Sequence, residues 1–212
     1  MKIILEKAGK KFYREWIFRN VDLSIQPSEK IAILGANGSG KSTLLQLLAG
    51  AFIPTEGAVS YYSGDNKLDA EQIFARVTIS APYLDLIEEY NLEEILDFHF
   101  RFKKAVNTIS IEEMIQISGL SASRKKMMKY FSSGMKQRVK LILALLSDVE
   151  VVFLDEPCSN LDRSSIEWYQ ELVKNYAANK TIIVCSNSQS EEYSFCTREI
   201  NVMSFKPAFS MQ

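Results

Sequence analysis

Histidine is all but missing from these 212 residues. His99 stands alone, among Phe98, Phe100 and Phe102, which marks it as a packed or surface side chain with no catalytic role. Cysteine is sparse as well. Cys158, Cys185 and Cys196 are odd in number, show no CxxC spacing and have no histidine nearby. That excludes a zinc-type centre and a disulfide framework and points to free thiols in a reducing compartment. Neither charge sign is in excess: 25 Lys and Arg stand against 26 Asp and Glu. No overall field therefore draws the chain to nucleic acid or to an anionic membrane. Long apolar runs are lacking too. The longest, Leu141 to Leu146, is far too short to cross a bilayer, and Met1 to Lys7 lacks the apolar core of a signal peptide. A soluble, cytoplasmic protein is the expectation.

What remains is ordinary globular material, 47% hydrophobic and 24% charged, enough for one domain or a domain with a subdomain. The charge is unevenly spread. Asp85, Glu88, Glu89, Glu93, Glu94 and Asp97 crowd one stretch, and Arg124, Lys125, Lys126, Lys129, Lys136, Arg138 and Lys140 crowd another. Such runs are solvated helix faces or surfaces turned to a partner.

One stretch is highly specific. An apolar run, Ile31 to Leu34, leads into Gly35-Ala36-Asn37-Gly38-Ser39-Gly40-Lys41-Ser42, the pattern GxxxxGK[ST], and then into a leucine-rich helix. Glycines let successive N–H groups turn inward on a polyphosphate, and the helix start near Lys41 aims its positive end at the same anion. Lys41 adds a full charge for the outer phosphates. The Ser42 hydroxyl is placed to ligate Mg2+, and Thr43 supports the same end of the nucleotide. A bound nucleoside triphosphate is the reading.

Alternation in Val21, Leu23 and Ile25 marks a strand from Trp16 to Ile25, and Ile3 to Leu5 reads as another. Ala58 to Tyr62 is a further strand. Helices follow: Asn91 with Glu94, and Ser110 with Glu113, are capping pairs, and Gly119 closes the second helix. Val151 to Leu154 is a buried strand ending in Asp155-Glu156. A helix from about Ser164 to Ala178, a strand Thr181 to Cys185 and a final strand near Ile200 to Phe205 complete an α/β chain with a mainly parallel, covered sheet. In a phosphate-loop enzyme an acid pair at a strand end does two jobs: Asp155 holds the metal ion and Glu156 orients and polarises the attacking water.

Four segments together resemble the ATP-binding cassette (ABC) family: GANGSGKST from Gly35 to Thr43, FSSGMKQR from Phe131 to Arg138, VVFLDEP from Val151 to Pro157, and SNLD from Ser159 to Asp162. FSSGMKQ discriminates, being similar to that family's LSGGQ-like signature just upstream of the acid strand. The resemblance implies a P-loop NTPase fold with an N-terminal antiparallel β-subdomain and a helical insertion. The whole chain, 1–212, would be one ATP-binding domain, with 1–80 and 141–212 as core and 81–140 as helical subdomain. It implies ATP and Mg2+ as ligands and a head-to-tail homodimer, or a heterodimer with a related cassette. ATP would lie between one subunit's phosphate loop and the other's Ser132, Ser133 and Gly134, with Asp162 at the seam. Phe12 or Tyr13 is similar to the aromatic that stacks on adenine. A transmembrane permease subunit would be the partner, docked near Tyr83 to Asp97, with the carboxylate cluster there as a contact for its basic residues and the chain held at the inner membrane face.

Three positions depart from the family pattern. Asn187 follows the strand Thr181 to Ser186 where a histidine touching the γ-phosphate is usual. Ala81-Pro82 falls where a glutamine coupling the site to the permease is usual, and Ser28-Glu29 where a Gly-Glu turn is usual. Asparagine donates a hydrogen bond but carries no charge. ATP-driven transport with slow or partner-dependent hydrolysis is the leading expectation. A non-transport ABC ATPase and an ATP-gated dimerisation switch are the alternatives.

Overall fold

The structure, a computed structural model, describes residues 1–187 and 189–207. Two sheets carry it. Strands β1 (Lys2–Phe12) and β2 (Glu15–Ile25) form a long hairpin that continues through β4 (Glu56–Ser63) and β5 (Asn66–Lys67), in the antiparallel order β2-β1-β4-β5. The second sheet is parallel, in the order β6 (Val77–Ser80), β7 (Val151–Asp155), β8 (Thr181–Ser186), β3 (Lys30–Leu34), β9 (Arg198–Asn201).

Because side chains alternate across a strand, each parallel strand feeds two cores. Val152, Leu154, Ile182 and Val184 face a core shared with the helical part of the chain, including Leu92, Leu96 and Met114. Val151, Phe153, Ile183 and Cys185 face the other, which holds α1 (Lys41–Leu48) and the antiparallel sheet through Ile3, Leu5 and Phe18. Each large side chain so buried contributes roughly 1.5–3 kcal/mol.

Helix α2 (Ala70–Arg76) precedes β6. Helices α3 (Leu92–Phe102) and α4 (Ile111–Ser118) open with capping boxes at Asn91/Glu94 and Ser110/Glu113, as the sequence implies, and Gly119 closes α4 in the left-handed conformation. Helix α5 (Ser133–Leu145) runs through residue 140, so its start belongs to the helical insertion and its apolar end, Leu141, Ile142 and Leu145, to the core beneath the sheet. The buried Lys180 ammonium donates to the carbonyls of Leu145 and Ser147, 2.7 Å each, closing that end of the helix; burial pushes its pKa down to about 8. Helix α6 (Arg163–Tyr176) is capped by Asp162, which accepts from Ser165 N at 2.8 Å.

The structure differs from the sequence reading at three elements. Lys10 to Phe12 belong to β1, because register shifts near Ala8 and Lys10 let the strand bend and continue to its turn. Helix α2 has no buried residue and so no apolar period to read, which also hid the four-residue strand β6 behind it. The last strand ends at Asn201, and Val202–Phe205 is a 3-10 turn.

His99 is a half-buried residue of α3 whose Nε2 meets Ser147 Oγ at 2.9 Å. Burial, helped by the Lys103 charge, pushes its pKa down to about 4 from 6.5. Between those values the unfolded chain takes up a proton that the folded chain refuses, so this residue weakens the fold as pH falls from 6.5 towards 4. Urea unfolding of the parent and of His99→Gln checks this. From pH 7 to pH 4 the parent should lose about 2 kcal/mol more than the variant, allowing for partial exposure; equal losses would contradict it.

Candidate functional site

Register brings the site together. In the parallel sheet Leu34 lies beside Ser186, and Asp155 beside Cys185, so β3, β7 and β8 finish side by side. The phosphate loop springs from the first, the acid pair ends the second, and Asn187 follows the third. Ligands of open α/β sheets lie at such carboxyl ends.

The loop from Gly35 to Gly40 hands over to α1, whose first residues are Lys41, Ser42 and Thr43. Gly40 has φ 105°, and a Cβ there would fall 2.5 Å from Ile17 Cγ2, so both conformation and space require glycine. Ser39 N donates to Ala36 O at 3.1 Å, while the buried Ser39 Oγ has no partner. Lys41 is buried, its ammonium donating to the carbonyls of Gly35 at 2.9 Å and Ala36 at 3.2 Å. The charge thus lies inside the loop's curve, within one side-chain swing of an anion in it. Asn37 and Gly38 form the exposed turn of the loop.

Asp155 is buried and its Oδ1 has no partner. Burial holds the carboxyl above its usual range, while the Ser42 hydroxyl and the Lys41 charge pull it down. An unpartnered, desolvated carboxylate oxygen beside a hydroxyl is a fitting pair of hard ligands for a small divalent cation. Among the described residues no group of three or more His, Cys, Asp or Glu could hold a metal alone, so waters or ligand oxygens would complete the shell.

Glu156 is half-buried with φ 47°, a left-handed backbone unusual outside glycine and asparagine. Its N–H donates to Cys185 O at 2.9 Å, and its Oε2 accepts a long bond from Ser159 Oγ at 3.4 Å. Among the described residues its carboxylate has no other hydrogen-bond partner. Asn187 is exposed.

The second anion-seeking helix start sits elsewhere on the chain. Ser132 is the N-cap of α5, accepting from Met135 N at 3.3 Å, with Ser133 and Gly134 in the first turn. Among the described residues no hydrogen bond joins Ser132, Ser133 or Gly134 to the phosphate loop. Gly134 instead abuts the turn after the acid pair: a Cβ there would lie 2.8 Å from Asn160 O. Gln137 reaches the same turn, donating to Pro157 O at 2.8 Å. Phe12 packs edge-on to Phe52 at 5.6 Å, with the Lys10 ammonium 5.3 Å from its ring, while Tyr13 is fully exposed at the hairpin turn.

A cleft of about 880 Å3 opens away from the loop, between β4, β6, α3 and α5. Phe52, Ile53, Phe74, Leu84, Leu86, Phe98 and Phe102 line it, so its wall is chiefly apolar. Sequence reasoning missed this feature, because its parts come from five separate stretches. The two charge runs that looked ready for a partner answer each other in part: Glu93 pairs with Arg124 and Lys125, and Glu88 with Lys136. Asp97 pairs with Arg101. Sequence reasoning also passed over Met135, which stands at the glutamine of the LSGGQ-like pattern, and Glu192, described below.

A glycine-rich loop at a parallel strand's end, with an orphaned buried aspartate beside it, defines the chain as a P-loop nucleotide-binding protein. It belongs to the ABC transporter family, whose pattern matches residues 18–159. An ABC transporter ATP-binding protein of Nostoc sp., all4389, is 32% identical over 92% of this chain and 62% of its own length. YcbN, an ABC transporter ATP-binding protein of Bacillus subtilis, is 28% identical over 90% of this chain and 64% of its own length. The chain therefore spans a little under two thirds of these two relatives. The dimeric structure of MJ0796, a bacterial ABC transporter cassette, superposes with a TM-score of 0.78 at 25% identity, over 95% of both chains. Among the described residues no helix is long and apolar enough to cross a membrane.

Gly134→Ala tests the contact between signature and acid-pair turn. It should leave Mg-ATP binding by the monomer within about twofold while weakening ATP-dependent self-association at least tenfold, about 1.4 kcal/mol. Calorimetry and light scattering read the two, and unchanged self-association would contradict the arrangement.

Proposed function

We propose that the chain is the nucleotide-binding subunit of an ABC transporter, hydrolysing ATP to energise a separate transmembrane permease. The observation that carries the proposal is the common carboxyl edge of β3, β7 and β8, with loop, acid pair and Asn187 at adjacent strand ends.

In this reading the N–H groups from Gly35 to Gly40 and the start of α1 receive the phosphates, and Lys41 leaves the carbonyls of Gly35 and Ala36 for the outer ones. Ser42 and Asp155 would hold Mg2+, which neutralises phosphate charge. Glu156 takes the proton of the attacking water, and Asn187 donates a neutral hydrogen bond towards the γ-phosphate. Thr43 supports the loop. Phe12 or Tyr13 covers the adenine; the exposed Tyr13 is free to stack, whereas Phe12 would have to leave Phe52. A second cassette, identical or related, brings Ser132, Ser133 and Gly134 to the far side of the nucleotide.

The apolar cleft supports a permease partner. Its wall suits an amphipathic helix laid in by its apolar face; of the carboxylate cluster proposed as a contact for basic residues, Glu88, Glu93 and Asp97 already have partners within the chain, while Asp85 and Glu89 form no ion pair among the described residues. The chain would then sit at the inner face of the membrane through the permease. Nucleic acid is not among the partners proposed.

One observation favours slow turnover, or an ATP-gated dimerisation switch, in the absence of the permease. At Ala81-Pro82, read as the place of the family's coupling glutamine, the backbone carbonyls accept from the Lys140 ammonium at 3.2 and 3.3 Å, and neither side chain carries an amide. Asn187 lacks the charge of the usual histidine.

Steady-state hydrolysis by the parent and by Glu156→Gln is the test. The variant should fall by about a hundredfold or more and form dimers under Mg-ATP, and a membrane chain should co-purify from detergent extracts. Equal rates would remove Glu156 as the base; hydrolysis without any membrane partner would favour the switch.

A further inference from the structure

Glu192 lies in the short 3-10 turn Ser190–Glu192, five residues beyond Asn187, and is 1% exposed. Its Oε1 accepts from Cys158 N at 3.1 Å, while its Oε2 has no partner. The backbone of the same residue is fixed from behind, the fully buried Tyr169 hydroxyl donating to Glu192 O at 2.9 Å. Burying a carboxyl with one oxygen outside any hydrogen bond is costly, and an apolar side chain in its place would leave the Cys158 N–H unpaired. The group nevertheless stands where it grips one backbone amide, two residues past Glu156.

That amide matters because of what surrounds it. Glu156 holds a left-handed backbone, and the chain must leave it in one direction for the carboxylate to keep its aim. The turn that follows is held at Pro157 O by Gln137, at Asn160 O by close approach to Gly134, and at Cys158 N by Glu192. Two of these anchors come from the signature helix. The third comes from the connection that carries Asn187. The charges of Asp155 and Glu156 both act on Glu192, which places it within reach of the acid pair's field, and burial raises its carboxyl above the usual range.

We infer that Glu192 is a positioning residue for hydrolysis: through the Cys158 amide it fixes the aim of Glu156 and ties the acid-pair turn to the segment bearing Asn187. Displacement of Asn187 by a γ-phosphate would then reach the turn leading to Asp162 through one hydrogen bond. The inference rests on Glu156 being the base, as proposed above.

Glu192→Met removes the acceptor while keeping the volume, and Glu192→Gln keeps an acceptor oxygen for Cys158 N–H. For both, kcat and KM for Mg-ATP are measured beside the thermal unfolding midpoint. Glu192→Met should lower kcat about tenfold with KM within about twofold and a midpoint lowered by no more than about 8 °C, the cost of one unpaired buried N–H, while Glu192→Gln stays within about threefold of the parent in kcat. A Met variant at the parental rate, a Gln variant as slow as the Met variant, or a loss of rate that matches the fraction unfolded at the assay temperature would overturn the inference. If the parent itself shows no Glu156-dependent hydrolysis, the proposed function fails first. If it does and Glu192→Met is indifferent, this inference alone fails.

Discussion

The constraint on which the rest depends is the in-register parallel pairing of β7, β8 and β3. A parallel ladder brings strand ends of the same polarity together, so whatever the sequence places just after these strands becomes one surface. Here that is a glycine-rich loop, the buried carboxyl of Asp155 with Glu156 beside it, and the exposed amide of Asn187. Both faces of the ladder are sealed by apolar side chains, which keeps the strand ends from shifting relative to each other. The cost of the site is visible in the same place: Asp155 and Ser39 each keep a buried polar atom without a partner, and Glu156 keeps an uncommon backbone. Local groups satisfied by the fold alone would have nothing left for a ligand.

A second theme is the turn from Pro157 to Asp162, gripped by the start of α5 and by the connection after β8. Sequence-distant parts of one chain therefore meet on a six-residue segment next to Glu156. Helix α5 begins with the exposed Ser132 and Ser133 and turns Gln137 inward to Pro157 O, so its exposed end is linked to the turn after Glu156 by one hydrogen bond and one turn of helix. Packing of this kind moves between discrete arrangements rather than deforming gradually.

Much of this was legible in the amino-acid order, for physical reasons that can be named. The phosphate loop needs glycines that nothing else replaces, the capping boxes at Asn91 and Ser110 need their own residue types, and an apolar strand ending in Asp-Glu takes its meaning from the phosphate loop upstream. Helix α2 was illegible because it buries nothing, and the end of β1 because a bulged strand loses its alternation. The cleft drew its wall from scattered residues, and Glu192 sits in a run of polar residues that reads as surface. The two charge runs were visible, but their mutual pairing is a matter of tertiary placement. The aromatics illustrate the remaining limit: Phe12 and Tyr13 are adjacent in sequence, yet one is packed and the other open.

The claim at the centre is that the loop's buried cation and the neighbouring acid strand grip one magnesium-bound nucleotide. Equilibrium calorimetry of Mg-ATP with the parent and with Lys41→Ala addresses it most directly. The account predicts a loss of affinity of at least about a hundredfold, or 2.7 kcal/mol, in a variant that unfolds at the parental temperature. Retention of parental affinity by Lys41→Ala would contradict it.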